Sequence, residues 1–306
     1  MAVQWYPGHM HKACKDIKKV MPQIDIVIEV MDARIPYSSE NPVVEELREQ
    51  RPCIKVLNKS DLADPTVTQL WLDYLEQGSG VKAIAMVAEQ KGQARRLLDL
   101  VRRLVPDRNT ILKPTRIMIL GIPNVGKSTL MNALAGKVLA KVGNEPAVTK
   151  NQQRIKLTDE MHLSDTPGIL WPRMEDPSSG YRLAISGAIR NTAMEFVDVA
   201  LFAATYLLPT YPDALMARYK LKELPKSELE LLQVIGSKRG GLRAGGEVDL
   251  HKAAEVLLHD YRSGAIGRIS LETPVMVEAA RHERQCLDEA RQAAEKDTQN
   301  DRRRDI

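Results

Sequence analysis

The chain has 306 residues, which is long enough for one large domain or two ordinary ones. Its composition, with 43% hydrophobic and 27% charged residues, is that of a globular protein and excludes an intrinsically disordered one. Lys and Arg total 44 against 40 for Asp and Glu, so the net charge of +4 permits a nucleic-acid partner without requiring one. The three cysteines are odd in number and widely spaced, which excludes a disulfide scaffold and a CxxC zinc site.

The first part of the chain predicts alternating strands and helices. A helix follows Pro7-Gly8, where apolar residues recur at near-helical spacing. Short β-branched or apolar runs predict strands at 25–31, 53–57, 81–88, 116–120, 154–157 and 161–164. Helical patterns occupy 41–50, 66–77, 95–105 and 129–135. This alternation is typical of an α/β fold with a mostly parallel sheet.

Beyond residue 172 the pattern becomes helical throughout. We predict helices at 181–208, 214–219, 227–235, 249–263 and 273–296. We therefore expect an α/β domain at 1–175, which includes the N-terminal basic helix, and a smaller all-α domain at 176–306. Between two of these helices, residues 236–246 are rich in Gly, Lys and Arg and predict a mobile basic loop.

Neither a signal peptide nor a membrane span is predicted. The first twenty residues lack an apolar core, and the longest apolar stretch, 196–208, is too short to cross a bilayer and contains Asp198. We expect a cytoplasmic protein with reduced thiols.

The segment Gly121–Ser128 (GIPNVGKS) matches the phosphate-loop pattern GxxxxGK[ST], and it lies between a predicted strand and a predicted helix. Glycines let backbone N–H groups wrap a phosphate, and the helix start adds its unpaired N–H groups. Lys127 is predicted to place its charge on the β- and γ-phosphates, and Ser128 to bind Mg²⁺. The predicted nucleotide-binding residues of this segment are Asn124, Val125, Gly126, Lys127, Ser128 and Thr129.

The tetrapeptide Asn58-Lys59-Ser60-Asp61 follows the strand at 53–57 and matches the guanine-recognition pattern NKxD. The carboxylate of Asp61 can accept hydrogen bonds from the ring N–H and the exocyclic amine of guanine, a pair that adenine does not offer. An ordinary Asn-Lys turn would look the same in isolation. Beside a phosphate loop, the tetrapeptide favours GTP as the ligand.

Asp165-Thr166-Pro167-Gly168 follows the strand at 161–164 and matches the DxxG pattern. Asp165 is predicted to lie in the outer coordination of Mg²⁺, and the Gly168 amide to sense the γ-phosphate. Thr149 precedes it and is the candidate for the threonine that closes over Mg²⁺ and the γ-phosphate.

The order of these motifs indicates a circularly permuted GTPase domain. Ordinary GTPases begin with the phosphate loop and place NKxD last, whereas here NKSD comes first and DTPG third. Such a permutation preserves a sheet when nearby termini are joined. It also places the segment after DTPG directly before the helical part, so γ-phosphate-dependent movement is expected to reach that part.

The chain resembles the ribosome biogenesis GTPase A family of circularly permuted bacterial GTPases. The resemblance rests on six motifs and on a later segment, GRISL, at 267–271: WYPGHM at 5–10, DARIP at 32–36, NKSD, GIPNVGKST, VTK at 148–150, and DTPGI. It implies a cytoplasmic GTPase that uses Mg²⁺, acts in late maturation of the large (50S) ribosomal subunit and contacts rRNA and ribosomal proteins. We expect a monomer without membrane or DNA partners. GTPases that regulate a non-ribosomal protein, or that act on tRNA, are the alternatives.

The chain departs from the family pattern at two places. Ala147 stands where the family has glycine before Val-Thr, which is expected to stiffen that segment. The Ser-Ala element on the guanine side is absent, and Met86 and Val87 occupy its region. We predict that backbone groups of Met86 and Val87 contact the base instead.

The residue after DTPG is Ile169, which cannot orient the attacking water as the glutamine of Ras-like enzymes does. The family resemblance and the chemistry of imidazole make His9 a candidate catalytic residue; contact with rRNA or local packing is the alternative. In related GTPases an asparagine at the position of Asn124 accompanies K⁺ binding, while turn geometry alone would also explain it.

Two groups of basic residues are candidates for binding rRNA phosphates, although a solvated basic face is equally common. They are Lys12, Lys15, Lys18 and Lys19 in the first helix, and Lys238, Arg239 and Arg243 near the predicted basic loop.

Overall fold

The structure is a computed structural model and describes residues 8–90, 92–108, 111–136, 154–164, 176–189, 195–241, 247–286 and 289, with the side chains of 8–13, 154 and 177 outside this description. The chain divides into two compact units, Met1–Leu271 and Glu272–Ile306. The second unit has helical backbone over 274–286. The predicted domain division at 175/176 stays a prediction.

Six strands form one sheet in the order β3-β2-β1-β4-β6-β5. All neighbouring pairs are parallel except β5 and β6, which are antiparallel. This confirms the mostly parallel α/β sheet. The strands are β1 (Ile26–Asp32), β2 (Cys53–Asn58), β3 (Val81–Met86), β4 (Thr115–Leu120), β5 (Arg154–Thr158) and β6 (Met161–Ser164). The third strand ends at Met86, two residues before the predicted end.

The helices of the α/β part connect these strands. Asn41 and Asp64 cap two of them, since each side chain accepts a hydrogen bond from an amide of the first turn. A short 3₁₀ helix covers Met21–Gln23. The α-helices are α1 (Gly8–Val20), α2 (Pro36–Ser39), α3 (Pro42–Arg48), α4 (Pro65–Leu75), α5 (Gln93–Leu104) and α6 (Lys127–Ala135).

Later described elements of the first unit are helical. They are α7 (Pro177–Ser186), α8 (Phe196–Thr210), α9 (Pro212–Tyr219), α10 (Glu228–Lys238) and α11 (Leu250–Arg262). Asp176, Ser227 and Asp249 cap α7, α10 and α11 with their side chains. Among the helices in the described ranges, none is long and apolar enough to cross a membrane.

The prediction of one helix over 181–208 is wrong. Helix α7 ends at Ser186, because Gly187 adopts the left-handed conformation at φ 80° and closes the helix. The amides of Gly187 and Ala188 then bond to the carbonyls of Ala184 and Leu183. The predicted loop at 236–246 also begins too early, since α10 continues to Lys238; residues 242–246 lie outside the described residues.

Strand β1 lies near the middle of the sheet and is buried over its whole length, because both faces of the sheet are covered. The chain leaves β1 toward β2 on one side, whereas it leaves β4 toward β6 on the other. The two crossover directions therefore diverge at β1 and β4. In open α/β sheets the crevice at the carboxyl ends of such diverging strands is the usual ligand site.

Candidate guanine-nucleotide site

The phosphate loop connects β4 to α6 at the carboxyl edge of the sheet, and two of its glycines cannot carry a side chain. A Cβ on Gly121 would lie 2.4 Å from the carbonyl oxygen of Val30, and one on Gly126 would lie 2.2 Å from Nδ2 of Asn58. Both residues also have positive φ, at 143° and 97°. Glycine is therefore required both by the backbone conformation and by the close approach of β1 and the NKSD segment.

Helix α6 begins at Lys127, so its first amide groups face the loop with the positive end of the helix dipole. Ser128 and Thr129 follow in the first turn. The Lys127 side chain is buried, and its ammonium group donates to the carbonyl of Ile122 at 2.7 Å, within the same loop. Uncapped amides, a cation and a glycine-lined loop form a donor set that fits a phosphate group.

The NKSD segment contacts the phosphate loop directly, although the two motifs are about sixty residues apart in the sequence. Asn58 donates from Nδ2 to the Val125 carbonyl at 2.8 Å. Lys59 donates to the Asn124 carbonyl at 2.9 Å. Asp61 is exposed at the end of this segment, where its carboxylate is accessible to a base. The predicted base-recognition and phosphate-binding residues are thus brought together.

The residues after β3 hold the NKSD segment from the other side. The Ser60 amide donates to the Met86 carbonyl at 3.3 Å, and the Ala88 amide donates to Oδ1 of Asn58 at 2.9 Å. The Val87 amide donates to the side chain of Gln93 at 3.0 Å. Base contact by backbone groups of Met86 and Val87 stays a prediction, and these bonds show that the backbone after β3 supports the NKSD segment.

Asp32 and Arg34 lie at the centre of the same edge, and sequence reasoning assigned them no role in the site. Arg34 binds both carboxylate oxygens of Asp32, at 2.9 and 2.8 Å, and Lys59 donates to the second oxygen at 3.0 Å. Burial disfavours the charged carboxylate, but Arg34 and Lys59 outweigh it and hold the pKa of Asp32 well below its usual range. The sequence feature that could have indicated their role is a pair of oppositely charged residues at the end of a buried strand.

Asn124 serves both the loop and the helical part of the chain. Its φ of 61° is left-handed, a conformation that asparagine tolerates, which supports the turn-geometry interpretation. Its side-chain nitrogen also donates to the Gly187 carbonyl at 2.9 Å, at the end of α7. A monovalent cation at Asn124 would therefore have to use the amide oxygen.

Several predicted site residues lie outside the described residues. They are Thr149, Asp165, Gly168 and the side chain of His9. Strand β6 pairs with β4, the strand that carries the phosphate loop, and its last residue is Ser164. The described part of the chain contains no cluster of three His, Cys, Asp or Glu side chains suited to a metal ion. Of the predicted Mg²⁺ ligands, only Ser128 lies within it.

Known proteins resemble this chain over nearly its whole length. A curated ribosome biogenesis GTPase A from Priestia megaterium is 45% identical over 282 residues, which cover 90% of this chain and 98% of that protein. This chain belongs to the ribosome biogenesis GTPase A family. A member from Thermotoga maritima is 30% identical, with 89% of this chain and 95% of that protein covered. A family model described as 50S ribosome-binding GTPase matches residues 116–233.

Solved structures of the family share the fold. The GNP-bound crystal structure of YlqF from T. maritima matches with a TM-score of 0.62 and 26% identity, covering 86% of this chain and 98% of that one. The GDP-bound form of the same protein matches with a TM-score of 0.63 and 25% identity, covering 85% and 99%. The chain is thus a GTPase with a circularly permuted, P-loop-containing G domain, as the motif order predicted. Its ligand is a guanine nucleotide.

Proposed function

We propose that this GTPase acts in late maturation of the large (50S) ribosomal subunit, in the cytoplasm, and binds rRNA and ribosomal proteins there. The observation that carries the proposal is the joining of the NKSD segment to the phosphate loop through Asn58 and Lys59, in a chain that matches curated ribosome biogenesis GTPases over 90% of its length. The geometry supports a guanine-nucleotide switch, and the similarity supports the ribosome as its target.

The reaction is hydrolysis of GTP to GDP and phosphate. The α6 amides and Lys127 hold the β- and γ-phosphates, and they stabilise the charge that develops as the terminal bond breaks. Ser128, Thr149 and Asp165 are the residues that would hold Mg²⁺, which neutralises phosphate charge when bound. Asp61 selects guanine because its carboxylate accepts two hydrogen bonds from that base.

The missing catalytic group is assigned either to His9, which would orient the attacking water, or to K⁺ held beside Asn124, which would neutralise the developing charge. Ile169 provides no polar group for this step. A cation beside the phosphates would act as an arginine finger does. The two assignments separate experimentally: His9→Ala lowers subunit-stimulated turnover in every salt if His9 acts, whereas replacement of K⁺ by Na⁺ at equal ionic strength lowers it if the cation acts.

Basic residues of α1 and the end of α10 are the proposed rRNA contacts. Lys15 is exposed, whereas Lys18 pairs with Glu46 at 3.0 Å and Lys19 with Asp16 at 3.7 Å. Lys238 donates to the Lys220 carbonyl at 2.7 Å. Lys15 is therefore the residue whose substitution tests rRNA binding most directly, because its removal breaks no ion pair that the structure records.

The test is cosedimentation with purified 50S subunits over a range of salt, in GDP and in a non-hydrolysable GTP analogue, together with GTP turnover. We expect nucleotide-dependent binding that weakens with salt, and stimulated turnover. Lys15→Glu should weaken binding, whereas Lys82→Glu, at an exposed residue of β3 that pairs with Glu76 at 3.2 Å, should not. Absence of both binding and stimulation would contradict the ribosomal proposal. Stimulation by tRNA alone would favour the tRNA alternative.

A further inference from the structure

A closed circuit of polar contacts joins the two nucleotide loops to the ends of α7 and α11. It runs from the phosphate loop to the NKSD segment, then through the end of β1 to α11, to the end of α7, and back to the phosphate loop. We name it the polar ring; its members are Asp32, Arg34, Lys59, Asn124, Arg262 and the 184–187 turn.

The half of the ring at the nucleotide edge is held by Lys59. Its ammonium group donates at once to Asp32, at 3.0 Å, and to the Asn124 carbonyl, at 2.9 Å. Asp32 is in turn fixed by the two bonds from Arg34. Asp32 and Arg34 are 2% and 1% exposed, so water does not screen this pair. The position of the phosphate loop therefore depends on where Arg34 holds Asp32.

The other half is held by the carbonyls at two helix ends. Arg34 donates from Nη1 to the carbonyls of Tyr261 and Arg262, at 3.4 and 3.3 Å. Arg262 donates to the carbonyls of Ala184 and Ile185, at 2.7 and 2.9 Å. The last carbonyls of a helix carry partial negative charge, so each guanidinium is favoured there, although the Ala184 and Tyr261 carbonyls also accept from the amides of Gly187 and Gly264.

Asn124 closes the ring. Its side chain donates to the Gly187 carbonyl at 2.9 Å, one residue beyond α7, while its own carbonyl accepts from Lys59. The residue in the middle of the phosphate loop thus contacts both the NKSD segment and the helical part. A change in the docking of α7 reaches Asn124 by two routes, directly through Gly187 and indirectly through Arg262, Arg34, Asp32 and Lys59.

We propose that the polar ring makes nucleotide affinity depend on the docking of α7 and α11, with Arg34 and Arg262 as positioning residues for the two loops that hold the nucleotide. The proposal rests on the assignment of those loops, and it is independent of the ribosomal target. Coupling of this kind is reciprocal: a bound nucleotide stabilises the docked helices, and a partner that pulls them away lowers nucleotide affinity. Because affinity changes at one site appear mostly in the dissociation rate, the lower affinity is measured as faster release.

The first test measures the release of a fluorescent GDP analogue from the full chain. Arg262→Met keeps the aliphatic side chain but removes the donors to Ala184 and Ile185, and we expect release to become about 10-fold faster. The matched control is Arg51→Met, just before β2, where the arginine donates to the carbonyls of Ile24 and Arg48 and lies outside the ring. Its release rate should be unchanged. Equal rates in wild type and Arg262→Met would overturn the proposal.

A second test asks whether the contacts act as one circuit. In a ring, breaking one contact already releases the others, so Asn124→Ala combined with Arg262→Met should speed release little more than the stronger single change. Independent contacts would instead multiply their effects, and that result would overturn the proposal.

A third test needs no variant and remains valid if Arg262→Met folds poorly. GDP added to the wild-type protein should slow amide hydrogen exchange at Gly187 and Ala188, whose amides close α7. The amides of α10 serve as the internal control, since α10 contributes no ring member. Equal protection in α7 and α10, or none in either, would overturn the proposal. Failure of wild-type protein to bind GDP would instead contradict the site assignment itself.

Discussion

Two carboxylates on β1, Asp32 and Glu29, lie three residues apart and are equally buried, yet their surroundings shift their pKa values in opposite directions. Asp32 is 2% exposed and its pKa is lowered, whereas Glu29 is 1% exposed and burial raises its pKa to about 7 although Lys55 opposes the shift. The difference lies in how closely a cation approaches each carboxylate.

The Asp32 carboxylate accepts two bonds from the Arg34 side chain and one from Lys59, all between 2.8 and 3.0 Å, and a further bond from the Arg34 amide at 3.1 Å. Glu29 accepts one bond from the Asn41 amide at 2.8 Å, and its nearest recorded cation, Lys55, is 3.9 Å away and bonded to Glu40. Direct, multiple hydrogen bonds offset the loss of water around Asp32, while a more distant charge does not do so for Glu29.

Along β1, the residues that contact the nucleotide loops are thus separate from those that stabilise the sheet. The Asp32 cluster lies at the carboxyl edge and reaches both nucleotide loops. The Glu29 cluster lies within the sheet, where Glu29 and Lys55 are register partners on β1 and β2, and it fastens the start of α3 through Asn41. We therefore expect changes near Asp32 to alter nucleotide binding, and changes near Glu29 to alter stability.

The largest effect is expected from Gly126→Ala at the carboxyl edge. The new Cβ would collide with Nδ2 of Asn58 and would need a strained backbone, so nucleotide affinity should fall by about 100-fold or more. Gly136→Ala is the matched control, because its φ is also positive, at 66°, but its Cβ would meet no atom of the described residues within 4 Å. That variant should lose about 1 kcal/mol of stability and keep its affinity. Equilibrium titration with a fluorescent GDP analogue decides between them; similar affinities would contradict the account.

Lys55→Met is the next largest change and should act on stability alone. It leaves Glu29 buried without its cation, so the free energy of unfolding at pH 8 should fall by about 2–4 kcal/mol. Adding Glu29→Gln should recover part of that loss, because the uncompensated charge is then absent. Urea unfolding of the single and double variants measures both effects. A double variant less stable than Lys55→Met would show that Glu29 stabilises the fold in its charged form.

The pH dependence of stability should distinguish the two carboxylates with a smaller effect. The folded-state pKa of Glu29 lies above its usual 4.5, so Glu29 stabilises the fold below that value, and this contribution is lost as the pH rises toward 7. Over this range Glu29→Gln should gain about 1–3 kcal/mol relative to wild type. Asp32 behaves oppositely, since its lowered pKa gives stability that is present above pH 3.8 and is lost only in stronger acid. A difference between Glu29→Gln and wild type that stays constant with pH would contradict the assigned shift.

The strands and the mostly parallel sheet could be predicted because they are local patterns, and the two segments predicted to bind nucleotide contact each other in the structure. Gly121 and Gly126 were recognisable from their spacing alone, and the structure adds the reason that no side chain fits there. The break in the helix over 181–208 was missed, because its apolar pattern continues through Gly187 and conceals a turn set by one left-handed glycine.

The contacts of the polar ring could not be read from the sequence because they join distant positions. Arg34 donates to Tyr261, 227 residues later in the chain, and Asn124 to Gly187, 63 residues later. Local patterns carry no information about such pairs. The sequence showed only that opposite charges follow a buried strand, which is equally true of many surface turns.

The most direct test of this division along β1 is the GDP release rate after two charge-conserving exchanges, Arg34→Lys and Lys55→Arg. Lysine at position 34 keeps the charge beside Asp32 but loses the planar donors that also reach Tyr261 and Arg262. The account predicts release about 10-fold faster in Arg34→Lys and unchanged in Lys55→Arg. Equal release from the two variants would contradict it.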